Sequence, residues 1–379
     1  MLLLDRSDFP RDKTCGDAVP AGAIERMLHY GMKEKVDTAV SRGEFHPIKG
    51  LTIASPRAYE IHAPLEKGHE GYDSYVAPRM FFDHVIQRHA IDSGAEFCVA
   101  QAKEPLVEDG KVVGVRVQSN GTAVDLRAKL VVGADGVTSA IARRLRPKTE
   151  QHQDTHRAVA LRAYVEDLEE IPNEVEFYLY KDILPGYAWV FPLGGDRANI
   201  GLGMRLDQFR KHKHNLENML KYFLQMPAIK PRLKRGGQLR DIATWQLNFG
   251  SQADMHHVFD GALLVGDAAG FINPITGGGI HNSIISAELA AQVAHDALAD
   301  GDTSYERMKI YEQLCHDELW EGMQTSYKMQ KWFNHFPFLV DILVRFGRQS
   351  QTLTQTFFEQ TFSKRKWTGV MQHLVESAE

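Results

Sequence analysis

The sequence predicts a mixed α+β and α/β fold in which strand–helix units of doubly wound type are interrupted by an antiparallel sheet. Two breaks carry the first half of that reading. The run Leu130-Val131-Val132-Gly133-Ala134 stops at Asp135-Gly136 and leads into the helical "VTSAIARRL"; much later "GALLVG" stops at Asp267-Ala268-Ala269-Gly270 before another helix. Between them, "RAVALRAYVE", "EVEFYLY", "GYAWVFPLG" and "RANIGLGM" alternate, hold many aromatics and are separated by turn residues, which is the pattern of successive antiparallel strands.

At the start of the chain, Leu2–Leu4 form a short apolar run ending in Asp5, and a polar stretch then leads to Cys15-Gly16-Asp17. Residues 75–93 place Phe81, Phe82, Val85, Ile86 and Ala90 at helical spacing, with Gly94 as the stop. The strand "AEFCVAQA" comes next, and Asp109-Gly110 between two β-branched runs signals a hairpin. The 130–134 run reads as a parallel strand buried on both faces. The basic stretch "LDQFRKHKHNLENMLKYFLQM" reads as helical, a long helix starts near Gly279, and the chain from about 303 onward is mostly helical. The expected domains are a cofactor domain made of 1–50, 72–150 and 255–300, a substrate domain made of 51–71 and 151–254, and a helical region over 301–379.

The 379 residues carry 44 Lys and Arg against 49 Asp and Glu, a net charge of −5, which excludes nucleic-acid binding driven by a basic surface. Three distant cysteines, Cys15, Cys98 and Cys315, make neither a disulfide framework nor a zinc site and point to a reducing compartment. No run of about 18 apolar residues spans a membrane. The histidine pairs His212/His214 and His256/His257 lack partners at metal-ligand spacing and read as solvated surface, so no metal is expected. The expected localisation is cytoplasmic, or peripheral at a membrane.

"ALLVGDAAGFINPITGGGIHNS" carries the most chemistry. A buried strand delivers Asp267 at its carboxyl end, small residues let backbone approach a ligand, and Gly277-Gly278-Gly279 exposes amides at a helix N-terminus. Such an end favours an anion or a reduced, negatively charged ring. The second Asp-Gly turn, in "LVVGADGVTSAIARRL", makes the combination specific.

These two stretches, together with "FPRDKTCGDAV", "YVAPRMFFDHVIQRHAIDSGAE", "GYAWVFPLGGDRANIGLG" and "NPITGGGI", resemble the flavin-dependent oxidoreductases related to para-hydroxybenzoate hydroxylase, and within them the geranylgeranyl reductases. The resemblance covers about residues 1–300. It implies a Rossmann-like FAD-binding domain interrupted by a substrate domain. The family begins with a strand and a G-x-G-x-x-G turn that this chain lacks, so the expectation is an N-terminally truncated chain whose Met1 is a misassigned start or a fragment boundary.

The resemblance also implies roles. Asp5 would bond the adenosine ribose, Cys15 and Gly16 would lie beside the flavin, and Arg79 would contact the phosphate or ribityl region. Ala102 would mark the strand passing the adenine, and Asp135 would brace the FAD domain. Asp267 would face the pyrophosphate or ribitol, while Gly278, Gly279 and Ile280 would present N–H groups to the isoalloxazine. Hydride would pass from flavin to a carbon–carbon double bond of a prenylated lipid or quinone, with NAD(P)H or a reduced redox protein as donor. An isolated alkene needs a positioned acid, for which Cys15, Asp17 and an ordered water are the candidates. Cys15 is otherwise a small packing residue. Tyr187, Trp189 and Phe191 share one strand face, either as core or also lining an apolar substrate tunnel. Residues 329–349, with Trp332, Phe333, Phe336, Phe338, Leu339, Ile342, Leu343 and Phe346 beside Lys331, Arg345 and Arg348, fit an amphipathic helix pair in a membrane interface or a helix packed on the rest of the protein; "SKRKW" at 363–367 would suit anionic headgroups. The competing readings are a flavin-dependent monooxygenase or halogenase, and a non-catalytic truncated flavoprotein.

Overall fold

A computed structural model describes residues 1–347 except Glu170 and His214, with the side chains of Arg235 and Gly236 also outside the description. Arg348 and the 363–367 cluster lie outside the described residues. The chain divides into two compact units. The first comprises residues 1–11, 83–157 and 247–324; the second comprises 12–82, 158–246 and 325 onward. Residues 12–50 and 72–82, expected with the cofactor domain, thus group with the antiparallel sheet. Among the described residues their strands Ala18–Val19, His46–Ile48 and Ser74–Val76 form a sheet of their own, and Gly50–Ala54 joins the large sheet.

The first unit is built from small sheets, several short helices and one helix of 21 residues. Leu2–Asp5 pairs in parallel with Glu96–Val99, and Val131–Gly133 pairs in parallel with Ala262–Leu264. Asp109 and Gly110, both at positive φ, close the expected hairpin between Gln101–Glu108 and Lys111–Ser119. The central strand Ala262–Leu264 is fully buried and delivers the chain to a short helix, Gly266–Ala269. The 130–134 strand is not buried on both faces. Val132 is 46 % exposed, because Val131–Gly133 is paired with Ala262–Leu264 alone among the described residues. The 21-residue helix Ile280–Asp300 packs Ile285, Ala290, Val293 and Ala297 on this core.

The second unit is organised by a seven-stranded sheet in the order Leu233–Asn248, Arg157–Leu168, Ala198–Arg205, Tyr187–Pro192, Glu174–Tyr178, Gly50–Ala54, Glu60–Pro64. The pairs among the four expected strands are antiparallel, but Glu174–Tyr178 runs parallel to Gly50–Ala54. Period-two alternation divides its centre cleanly. Leu161, Ala163, Val165, Ala188, Val190, Ile200, Leu202 and Met204 form one apolar face, covered by Met219, Leu220 and Phe223 of the helix Leu216–Leu224. That helix and Leu206–Lys211 form the helical stretch expected over 206–226. The opposite face carries Arg162, Tyr164, Asn199, Trp189 and Phe191, and the chemistry of this unit sits there. Helices continue through Glu321–His335 and Phe338–Gly347.

Candidate functional site

In the first unit the site is made of backbone. Asp267 lies in the helix that follows the buried strand, and Gly279 caps the long helix with no side chain bonded to its end. A Cβ on Gly279 would stand 3.0 Å from Asp267 Oδ1 and 3.2 Å from Ile272 Cγ1, so a side chain there would crowd the helix end against this carboxylate. Asn273 Oδ1 accepts from the amides of Ile275 and Thr276, Thr276 Oγ1 accepts from Gly278 N at 3.1 Å, and Asn282 donates to Phe271 O. The amides of Gly277 and Gly278 are thus spent inside the loop, on Asn273 O and Thr276 Oγ1, and Gly279 and Ile280 stand at the head of the helix. A helix N-terminus suits an anionic or electron-rich planar group.

Residues that sequence reasoning missed brace this turn from behind. Arg146 donates to the carbonyls of Ala269 (3.0 Å) and His256 (2.8 Å), and His257 Nε2 donates to Ala269 O at 3.2 Å. His152 packs against Gly270, where a Cβ would meet its Nε2 at 2.6 Å. Burial pushes His152 down to about 3 and His257 well below the usual imidazole range, so both are neutral beside Arg146. His257 is thus an internal hydrogen-bond donor rather than solvated surface. Among the described residues no group of three or more His, Cys, Asp or Glu side chains is placed to hold a metal.

The other expected residues of this unit make hydrogen bonds and packing contacts of their own. Asp5 Oδ1 accepts from Ser7 N, while Oδ2 takes a fork from Arg11 at 2.9 and 3.1 Å; Arg11 also reaches Asp83 at 2.8 Å. Ala102 sits in the strand Gln101–Glu108, half-buried against the core. Asp135 accepts from the Ser139 hydroxyl and from the amide of Ala140 (2.7 Å), holding the first turn of the helix Ala140–Leu145.

In the second unit the site is made of side chains. Cross-strand partners share a face. Tyr164 and Phe191 flank Asn199; Arg162 and Trp189 flank Gly201; Ala160 and Tyr187 flank Gly203. Gly201 is open so that the Trp189 ring can lie across the sheet: a Cβ there would come 2.3 Å from both Trp189 Cζ2 and Leu161 O. The Cys15-Gly16-Asp17 turn is seated on this face, since a Cβ on Gly16 would meet Phe191 Cε2 at 3.0 Å and Trp189 Nε1 at 3.6 Å.

Asn199 is the hub. Its Oδ1 accepts from Trp189 Nε1 at 2.8 Å, and its Nδ2 donates to Cys15 O and Asp17 Oδ2, both at 2.8 Å. Tyr164 donates to the same Asp17 oxygen at 2.7 Å. Arg162, fully buried, stacks 4.4 Å over the Tyr164 ring and pairs with Asp12 at 2.5 Å. Burial raises the Asp17 carboxyl to about 6 against the opposing pull of Tyr164, Asn199, Arg162 and Arg79. Burial also raises the Tyr187 phenol above its usual range. Trp189 and Phe191 are nearly buried and pack with Phe177, Val340 and Val344. Five predicted residues (Cys15, Gly16, Asp17, Trp189 and Phe191) are therefore in one cluster, with Tyr187 on the same face. Arg79, the first residue of the helix Arg79–Asp92, acts on Asp17 through its charge. Arg162, Tyr164 and Asn199 were missed, although each is a polar residue inside an otherwise apolar strand.

Residues 2–326 match the FAD binding domain family. The chain is 36% identical over 322 residues to the digeranylgeranylglycerophospholipid reductase of Thermoplasma acidophilum, covering 84% of this chain and 77% of that one. It superposes on a geranylgeranyl bacteriochlorophyll reductase-like protein from the same organism with a TM-score of 0.82 and 27% identity, covering 99% and 92% of the two chains. A flavin-dependent brominase shares the fold at TM-score 0.77 and 19% identity, covering 100% and 92%. Together these place the chain in the FAD-dependent oxidoreductases, and the particular group it belongs to is the geranylgeranyl reductase family. FAD is its cofactor, and the glycine-lined helix end, with Asp267 beside it, fits the electron-rich end of that molecule. When bound, FAD supplies a two-electron hydride store.

Proposed function

We propose that the protein reduces carbon–carbon double bonds in the prenyl chains of a glycerophospholipid by hydride transfer from reduced FAD. The observation that carries this reading is the turn Cys15-Gly16-Asp17 seated on the Trp189/Phe191 face. It supplies both requirements of an unactivated alkene, an apolar wall and a buried acid. The 36% identical relative is named for a digeranylgeranylglycerophospholipid, which supports that lipid over a quinone. In this reading Asp5 and Ala102 serve the adenosine, Arg79 serves the phosphate or ribityl region, and Asp267, Gly278, Gly279 and Ile280 serve the pyrophosphate-to-flavin stretch. Asp135 braces the cofactor unit, and Tyr187, Trp189 and Phe191 form the apolar wall. The electron donor is NAD(P)H or a reduced redox protein.

The test is direct. The FAD-loaded chain, reduced with dithionite under argon and given digeranylgeranylglycerophospholipid, adds the mass of two hydrogens per reduced bond. An unchanged lipid, with oxygen-dependent hydroxylation or halogenation of another acceptor, overturns the reading in favour of a monooxygenase or halogenase.

A lipid substrate calls for a lipid surface, and one patch supports that finer reading. No described helix is long and apolar enough to cross a membrane. Asp341 pins the helix Phe338–Gly347 by accepting from Ser55 Oγ (2.7 Å) and Arg57 N (2.9 Å). Its outer side exposes Phe338, Ile342 and Phe346, next to exposed Trp332 and Phe336 and the cations Lys331 and Arg345. Aromatic side chains bordered by cations match the chemistry of an anionic bilayer interface. Co-sedimentation with anionic vesicles should fall sharply when Trp332, Phe336 and Phe346 are replaced by Ser; undiminished binding would refute the patch.

A further inference from the structure

One acid in the second unit has an oxygen that the protein does not use. Asp17 is completely buried, and its backbone sits at φ 66°, a left-handed conformation that a non-glycine residue seldom adopts. Its Oδ2 accepts two hydrogen bonds, from the Tyr164 hydroxyl and Asn199 Nδ2. Its Oδ1 is sealed from solvent and accepts from no described group. A carboxyl with one oxygen held by two donors carries its proton on the other, so the neutral form of Asp17 is an Oδ1–H acid with nothing to hold that proton. The same turn rests on the Trp189 and Phe191 rings, the apolar wall of the function proposed above.

We infer that Asp17 is the acid of the reduction, delivering its Oδ1 proton to one alkene carbon, and that Tyr164 and Asn199 are positioning residues that keep Oδ1 free for this task. This rests on the function proposed above. In the step, the π bond breaks and two C–H bonds form. One carbon receives hydride, the contribution of the reduced cofactor after two-electron reduction by its external donor. The other receives the Asp17 proton, which leaves a carboxylate that regains a proton from solvent between turnovers. The other named acid, Cys15, is held in this network by its main-chain carbonyl.

The surroundings set when the acid is loaded. Tyr164 and Arg162 face Asp17 from the strand Arg157–Leu168, Asn199 from Ala198–Arg205, and Arg79 from the head of its helix; Asp12 balances Arg162. All four neighbours favour the carboxylate, and burial outweighs them.

The test reads the proton itself. Infrared difference titration of the full FAD-loaded chain should show a carboxylic C=O band that disappears on raising the pH with a midpoint near 6, and that is missing in Asp17→Asn. Asp17→Asn should lower kcat by at least ~100-fold with KM and FAD affinity unchanged. Tyr164→Phe removes a donor that stabilises the carboxylate. It should therefore shift both the infrared midpoint and the alkaline limb of kcat to higher pH together, a response that a purely structural tyrosine would not give. A midpoint in the ordinary range near ~4, or an Asp17→Asn enzyme with wild-type kcat and an unchanged alkaline limb, overturns the inference. Wild-type protein inactive on the prenyl lipid would instead defeat the functional reading; the infrared midpoint does not depend on it.

Discussion

The two units solve the problem of holding a reactive group in opposite ways. In the first, the proposed cofactor surface is main chain: a helix end and glycines, with Asp267 beside them and Arg146 and His257 tying the turn. In the second, the proposed acid site is a polar side-chain cluster on a sheet face, with a carboxyl at its centre. Asp135 and Asp17 embody the difference. Both oxygens of Asp135 are consumed by the start of a helix, which is a structural task. Asp17 is deeper, with one oxygen spent and the other left idle, and its burial raises its proton affinity and costs stability. A main-chain site tolerates solvent and stores nothing; a buried side-chain site stores free energy in its protonation state.

The sharpest way to separate the two is pH. The folded Asp17 carboxyl lies near 6 against 3.8 when unfolded, so the folded state binds the proton more tightly. Stability from this group is therefore lost as pH rises from 3.8 to about 6, and the full cost, about 3 kcal/mol at 1.36 kcal/mol per pH unit, is present above that window. Asp17→Asn should be more stable than wild type in urea at pH 8, by up to that amount, and the gain should vanish near pH 4. An equal difference at both pH values would mean that the carboxylate is not what burial penalises.

The main-chain site breaks by adding atoms. Gly279 has φ −120° and ψ −24°, which any residue can adopt, so a substitution there tests space rather than strain. Gly279→Val should weaken FAD binding about 100-fold, equivalent to ~2.7 kcal/mol, as measured by flavin fluorescence titration. It should leave the second unit's thermal transition unchanged. FAD affinity equal to wild type would remove the helix end from the site.

The same contrast explains what was legible. The glycine run, Asp267 and the strand before them are contiguous, so a main-chain site can be read from one stretch. The sheet was legible through its alternation, and so was the shared face of Tyr187, Trp189 and Phe191. The cluster around Asp17 was legible only in part. Asp17 lies 147 residues from Tyr164 and 182 from Asn199, and nothing local records that pairing. The trace was negative: Arg162, Tyr164 and Asn199 interrupt apolar strands at positions that face away from Leu161, Ala163 and Ile200. The exposure of Val132 and the parallel join of Glu174–Tyr178 to Gly50–Ala54 depend on pairing partners that composition does not specify.

Packing behind the side-chain cluster gives the next effect. Gly201 lies opposite Trp189 and Arg162, and a methyl group there would meet the indole ring and a backbone carbonyl at 2.3 Å. Since backbone cannot yield as a flexible side chain does, the indole must move, and with it the Nε1–H bond to Asn199. Gly201→Ala should cost on the order of 1–3 kcal/mol by overpacking, read as a lowered Tm of the second unit. It should also shift the Asp17 infrared midpoint upward, because Asn199 would hold Oδ2 less well. A lowered Tm with an unmoved midpoint would show that Trp189 supports the sheet but not the acid.

The smallest effect is expected at Asp135. Ser139 Oγ accepts from Ala142 N at 2.9 Å and donates to Asp135, so it caps the helix Ala140–Leu145 and orients the carboxylate at once. Ser139→Ala removes the cap, worth about 1 kcal/mol, but leaves Asp135 its bond from the Ala140 amide. The first unit should therefore lose about that much stability in urea, with no change in the pH profile of kcat, because Asp135 serves the start of the helix. If Ser139→Ala instead moved that profile, the division of labour would be wrong. The acid chemistry would then not be confined to the second unit, and Asp135 would have to be counted with Asp17.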